Sequence, residues 1–239
     1  MRRYLIVDDN RDFAENLAEI VRDAGDEVAI AEGGAEAIAL ARATPFDALL
    51  TDMRMPLMGG AELVHEIRRI DPGVAAMVIT AHVGDDAIEA ARREGLLAVL
   101  PKPVPIARLL ELLGSARRDG LVVIVEDDQK LSDNLCEVLR HEGFAAVTAA
   151  SVLETERLGP VQPFAALVDL RIPGGPDGEA MRRLGAKFPG LPMIVMTGVH
   201  GEAPPLPSEA YFPKPFDTGV LMDAVRRLHA ARARPAGAA

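Results

Sequence analysis

One cysteine, Cys136, stands among the 239 residues. No internal disulfide can form from it, and so sparse a usage fits a reducing cytoplasm. Long hydrophobic runs are missing as well. The first, Tyr4-Leu5-Ile6-Val7, ends after four residues in Asp8-Asp9, too short for the core of a signal peptide or for a membrane span. Basic residues are outnumbered: 26 Lys and Arg face 36 Asp and Glu, giving a net charge of −10. That balance argues against a general nucleic-acid-binding surface. What remains is ordinary for a globular chain, 49% hydrophobic and 26% charged, so disorder and coiled-coil rods are not expected over most of its length. The length allows one large domain or two small ones.

Internal repetition decides between them. LIVDDN at 5–10 returns as VIVEDD at 123–128, and DMRMP at 52–56 returns as DLRIP at 169–173. VIT at 78–80 becomes VMT at 195–197, and PKP at 101–103 is repeated at 213–215. Asp8 and Glu126 lie 118 residues apart, Asp52 and Asp169 lie 117 apart, as do Thr80 and Thr197, and Lys102 and Lys214 lie 112 apart. Four landmarks in one order at a nearly constant offset mark a tandem duplication. The expected units are 1–118 and 119–232, followed by a disordered tail over 233–239.

Each unit alternates short apolar runs with amphipathic stretches, the pattern of a parallel sheet covered by helices. In the first, strands are expected at 4–7, 28–31, 48–51, 76–80 and 98–100. Helices are expected near 12–24, 34–43, 61–70, 85–94 and 105–116. Asp12 and Asp85 read as acidic helix starts, and Gly25 and Gly95 stand where helix ends favour glycine. The second unit repeats the pattern from a strand at 121–125 to a last helix near 217–231. The join, Arg117-Arg118-Asp119-Gly120, is short enough to hold the units close together.

In an open α/β sheet, functional groups collect at the carboxyl ends of the strands. Asp8 and Asp9 end the first strand, Asp52 the third and Thr80 the fourth, while Lys102 follows the fifth. Three carboxylates gathered at one edge repel one another unless a cation sits among them. An all-oxygen donor set without cysteine or clustered histidine suits a hard ion such as Mg²⁺. The metal, Lys102 and Thr80 would then hold the oxygens of a phosphoryl group in transfer to a carboxylate.

On these strings (LIVDDN, TDMRMP with Gly59-Gly60, VITA and LPKP, then VIVEDD, VDLRIP, MTG and FPKP) the chain resembles the receiver domain of two-component response regulators, twice over. The resemblance implies an α/β chain of two flavodoxin-like, doubly wound (βα)5 receivers in tandem. Asp52 would be the phosphoacceptor. Mg²⁺ would be bound by Asp9, Asp52 and the main-chain oxygen of Arg54, with Asp8 acting through metal-bound water. Thr80 and Lys102 would contact the phosphoryl group, helped by a peptide bond before Pro103 that is often cis in the family. In the second copy the same roles fall to Asp169, Glu126, Asp127, the main-chain oxygen of Arg171, Thr197 and Lys214. The donor would be a phosphohistidine on a sensor histidine kinase or a histidine phosphotransfer protein. Such a chain assists its own phosphorylation and dephosphorylation without being an enzyme in the turnover sense. It signals in the cytoplasm to a downstream protein, with a homodimer as one route, and with no direct nucleic-acid or membrane partner.

The copies are not identical. Val99 stands three residues before Lys102, where the family usually has Tyr or Phe; the second copy keeps Tyr211 there. From Thr197 to Lys214 is 17 residues against 22 from Thr80 to Lys102, and this stretch holds Pro204, Pro205 and Pro207. Proline opposes helix continuation, so the fourth helix of the second copy is expected to be shortened or missing. Arg54 and Arg171, two residues past each acceptor, either shield the acyl phosphate from water or lie on the surface as solvated side chains. His65, in VHEIRR, is expected to be an exposed helical histidine, Cys136 a buried structural thiol, and the basic group Arg226, Arg227, Arg232 and Arg234 a solvated helix face. Rival readings are a phosphate sink or relay, the regulatory portion of a larger protein, and a metal-dependent small-molecule phosphatase. The last would place an aspartate where Arg54 and Arg171 stand.

Overall fold

The computed structural model describes all residues except 82–83, 85–88, 90–93, 160, 199–205 and 233–239. The first half comprises β1 (Arg3–Val7), α1 (Arg11–Asp23), β2 (Glu27–Ala31), α2 (Gly34–Ala43), β3 (Ala48–Asp52), α3 (Gly60–Ile70), β4 (Ala75–Thr80), β5 (Ala98–Pro101) and α4 (Ile106–Ser115). The second comprises β6 (Leu121–Val125), α5 (Gln129–His141), β7 (Ala145–Ala149), α6 (Val152–Arg157), β8 (Ala165–Asp169), α7 (Glu179–Lys187), β9 (Met193–Thr197), β10 (Ala210–Pro213) and α8 (Thr218–Arg232). Within the described part of the first half, each expected element is present with its ends displaced by at most one residue. The helix expected over 85–94, the helix loss expected between Thr197 and Lys214, and the tail fall largely on residues outside that description.

Each half holds one five-stranded parallel sheet, ordered β2-β1-β3-β4-β5 and β10-β9-β8-β6-β7. Read by position within its half, each is strand order 2-1-3-4-5, the flavodoxin-like doubly wound arrangement. Apolar runs without alternation explain the layering. β3, β4, β6, β8 and β9 are buried along their whole length, as strands covered on both faces must be. α1 places Ala14, Leu17, Ala18 and Val21 against the sheet, a three-to-four-residue spacing that makes one apolar stripe. Its cap is Asn10, whose side chain accepts from the Phe13 N–H at 3.0 Å. Asp12, expected as the helix start, lies inside the first turn. A capping residue needs extended backbone, and Asn10 has it.

The order in which strands are added to the sheet reverses between β1 and β3, parallel neighbours in the first sheet, and between β6 and β8 in the second. Each reversal opens a crevice at the strand ends. The residues that follow β1 and end β3 therefore face each other.

The join is pinned to both halves. Arg118 forks onto Asp71 at 2.9 and 2.5 Å and donates to the Phe46 carbonyl. The Asp119 N–H donates to Gly73 O at 2.8 Å, and the Arg117 N–H to Gly143 O at 3.0 Å. One apolar cluster runs from Leu97, Leu109 and Leu113 into Leu121, Val123 and Val147. Arg68 of α3 is buried here, 2% exposed; it donates to Gly95 O at 2.9 Å while its Nε and Nη1 have no partner. Burial pulls its pKa down to about 10, against the opposing pull of Glu94. His65 is half-buried rather than exposed, with Nδ1 3.4 Å from a Glu94 oxygen, because its helix runs beside Gly159 of the second half. Among the described residues no helix is long and apolar enough to cross a membrane.

Candidate functional site

Asp8 directly follows β1 and is 2% exposed. Its backbone N–H donates to Ala31 O on β2 at 3.2 Å, and its carboxylate accepts from the Asn10 N–H at 2.9 Å. Asp52 is the last residue of β3 and 8% exposed. One of its oxygens accepts from the Arg54 N–H at 2.6 Å. Gly60 makes this turn possible: it donates to Met53 O at 3.0 Å, and a Cβ there would collide with the Asp52 carbonyl.

Lys102 leaves β5 and inserts between the two acids. Its Nζ lies 2.7 Å from Asp8 Oδ2 and 2.6 Å from Asp52 Oδ1. Its backbone N–H donates to Thr80 O at 2.7 Å, and the Lys102–Pro103 peptide is cis. Burial opposes the charged ammonium, but the bonds to Asp52 and Asp8 prevail and raise the Lys102 pKa. Thr80 closes β4, 3% exposed. Phe13, not foreseen as part of the site, lies under the ammonium, 4.3 Å from ring centre to Nζ. A single aromatic on a helix stripe reads as core, which hid it.

The second half rebuilds this geometry. Glu126 follows β6, 2% exposed, and Asp169 ends β8, 7% exposed. Lys214 Nζ lies 2.6 Å from Glu126 Oε2 and 2.6 Å from Asp169 Oδ2. The Lys214 N–H donates to Thr197 O at 2.7 Å, Thr197 is fully buried, and Lys214–Pro215 is cis. The Arg171 N–H donates to Asp169 at 3.0 Å, as Arg54 does to Asp52. Burial raises the Glu126 pKa despite its bond to Lys214; Lys214, also opposed by burial, is raised by Asp169 and Glu126. Asp9 and Asp127 are the exposed members of the two sites. Among the described residues, one trio brings its carboxylate oxygens within 4.8 Å of one another, Glu126, Asp127 and Asp169.

The charge balance follows. In the second site three carboxylates meet one ammonium, a formal −2 that a divalent cation would neutralise. In the first, Lys102 bridges Asp8 and Asp52, with Asp9 exposed beside them in sequence. The carboxylates of both sites are hard oxygen donors. The arginines two residues past Asp52 and Asp169 are exposed at their side chains; that of Arg171 pairs with Asp177 at 3.2 Å. Other expectations resolve simply. Cys136 is 3% exposed in the core of the second half. Arg226 pairs with Glu142 and Asp223, while Arg234 lies outside the described residues. Tyr211 is partly exposed on β10 at 36%, and Val99 is half-buried on β5.

Comparison with known proteins points the same way. A profile of the response regulator receiver domain matches residues 4–114. Response regulator receiver protein Anae109_2439 of Anaeromyxobacter sp. (strain Fw109-5) is 76% identical over 232 residues, 97% of each chain. The transcriptional regulatory protein ZraR of Klebsiella oxytoca is 33% identical over 112 residues, 47% of this chain but a quarter of that protein. The chemotaxis protein CheY4 of Vibrio cholerae superposes with a TM-score of 0.46 at 29% identity, over 48% of this chain and 97% of its own. With two lysine-bridged acidic crevices on flavodoxin-like sheets and a full-length relative at 76% identity, the chain belongs to the response regulator receiver proteins of two-component signalling.

Proposed function

We propose that the chain is a tandem-receiver response regulator: both halves are receivers, and each accepts a phosphoryl group from phosphohistidine, on Asp52 and on Asp169. One observation carries this reading, the duplicated lysine bridge. Lys102 spans Asp8 and Asp52, and Lys214 spans Glu126 and Asp169, at equivalent strand ends and at nearly equal distances. A degenerate copy would have no reason to keep two buried carboxylates bridged by an ammonium, because burying charges is costly unless each is paired.

The chain's own groups supply most of the chemistry. An ammonium has three donors; two of those on Lys102 face Asp8 and Asp52, and a phosphoryl oxygen on Asp52 would come within reach of the same ammonium. The Arg54 N–H holds one oxygen of Asp52, which orients the carboxylate for in-line attack. Thr80 stands at the neighbouring strand end as a hydroxyl for another phosphoryl oxygen. Mg²⁺ fits the oxygen-only donor set; Asp9, Asp52 and the Arg54 carbonyl would hold it in the first half, and Asp127, Asp169 and the Arg171 carbonyl in the second, with Asp8 and Glu126 adding their charge beside it. The ion supplies charge neutralisation for the incoming phosphoryl oxygens.

The acceptor assists its own phosphorylation by the donor and its own dephosphorylation by water, and turns over no other substrate. Output passes by protein–protein contact, through a population shift biased by the phosphoryl group. The donor is a sensor histidine kinase or a histidine phosphotransfer protein. Borohydride trapping tests the assignment, since it reduces an aspartyl phosphate to homoserine that peptide mass spectrometry can locate. Homoserine at both 52 and 169 after treatment with acetyl phosphate and Mg²⁺ is expected; homoserine at one of them or at neither would refute the reading.

A further inference from the structure

Two non-glycine residues among those described have positive φ, Asp119 at 56° and Leu57 at 69°. Aspartate tolerates the left-handed region, whereas a branched apolar side chain does not. Leu57 is also the most exposed of the large apolar residues, at 106% relative accessibility. It lies five residues past Asp52, at the centre of a three-residue turn closed by the Met58 N–H donating to Pro56 O at 2.8 Å. A three-residue turn with positive φ at its centre is the rare, strained form. The second half offers an internal control. Five residues past Asp169, and again directly after a proline, stands Gly174, with φ 103°. There the left-handed backbone is held by the one residue that adopts it without strain.

The same loop thus carries strain and an exposed apolar side chain in the first half, and neither in the second. Nothing within the chain gains from Leu57: it is fully exposed, so it contributes no core burial. Strain kept where folding does not need it points to a role outside the folded chain. Its place beside Asp52 identifies that role, because any protein that delivers a phosphoryl group to Asp52 must cover this rim.

We propose that Leu57 is a docking anchor for the protein that carries the phosphohistidine, filling an apolar pocket beside that histidine. Gly174 denies the second half this anchor, so the donor protein transfers to Asp52 faster than to Asp169. The proposal rests on the reading of Asp52 and Asp169 as phosphoacceptors. In the docked complex the P–N bond to imidazole breaks as a P–O bond to Asp52 forms, and the released imidazole nitrogen takes up a proton.

The test compares wild type with Leu57→Gly, Leu57→Met and Gly174→Leu in the full chain. Acetyl phosphate with Mg²⁺, a donor too small to need docking, should label Asp52 at the same rate in wild type and both Leu57 variants. The protein donor is the autophosphorylated histidine-kinase core that labels wild type fastest in a panel of such cores. Transfer from it to Asp52 should fall roughly tenfold in Leu57→Gly, the loss expected for burying one leucine less, and return in Leu57→Met. Gly174→Leu should gain transfer at Asp169. Thermal melting of Leu57→Gly no lower than wild type confirms that the fold is intact. Equal transfer to wild type and Leu57→Gly overturns the proposal, as does a panel in which no core labels a chain that acetyl phosphate does label. Failure of acetyl phosphate to label Asp52 in wild type would instead overturn the reading beneath it.

Discussion

Lys102 and Lys214 each lie within 2.7 Å of two buried carboxylates, so each neutralises charge that the fold has already taken out of water. On the proposed reading, removing the ammonium would remove a preorganised cation from the point where phosphoryl charge develops. Lys102→Met should slow labelling of Asp52 by acetyl phosphate about a hundredfold, the scale of losing one such electrostatic contact, and leave labelling of Asp169 unchanged. A time course of site-resolved mass spectrometry checks this, and equal slowing at both sites would show that the halves do not act as separate acceptors. Residues of this kind were legible from sequence because the chemistry fixes both their type and their order. Phe13 and Leu57 were not. An aromatic on a helix stripe and a leucine in a loop carry no signal until the backbone shows one beneath an ammonium and the other at positive φ.

At the scale of elements, apolar runs and helical stripes located the strands and helices in the described part of the first half to within a residue, because burial on both sheet faces leaves little freedom in where a strand sits. Caps were less legible. Asn10 starts α1 because its backbone is extended and its side chain reaches the Phe13 N–H, a fact of geometry that acidic composition near Asp12 does not encode. α8 carries a contact no pattern announced. His229 stands edge-on to Phe144 and Phe164, at 5.3 and 4.9 Å between ring centres, and shares a hydrogen bond of 3.2 Å with the Arg118 carbonyl. Burial depresses its pKa against the pull of that carbonyl, with Arg117, Arg232 and Asp119 as the charged groups facing it. The unfolded chain therefore binds this proton more readily than the folded one. Stability from this group is complete above the unfolded value of about 6.5 and declines as pH falls through it. Chemical denaturation between pH 7.5 and 5.5 should show wild type losing more stability than His229→Gln. An equal loss in both would assign the acid sensitivity elsewhere.

For the whole molecule, repetition at a near-constant offset made the division into halves legible, but the way they join depends on residues that read as surface. Arg68, Arg118 and His65 look like solvated positions in sequence. The structure buries or half-buries all three where the halves meet. A single apolar cluster crosses that seam, so the halves should unfold together. Calorimetry should record one transition, and Asp71→Ala, which strands the Arg118 fork, should lower stability by about 1–3 kcal/mol. Two resolved transitions in wild type would mean the seam does not couple the halves.

The central claim is that one chain holds two working phosphoacceptors, and intact-mass spectrometry counts them. After acetyl phosphate with Mg²⁺, wild type should gain two phosphoryl groups, while Asp52→Asn and Asp169→Asn should gain one each. A wild-type chain that never gains more than one would contradict the account.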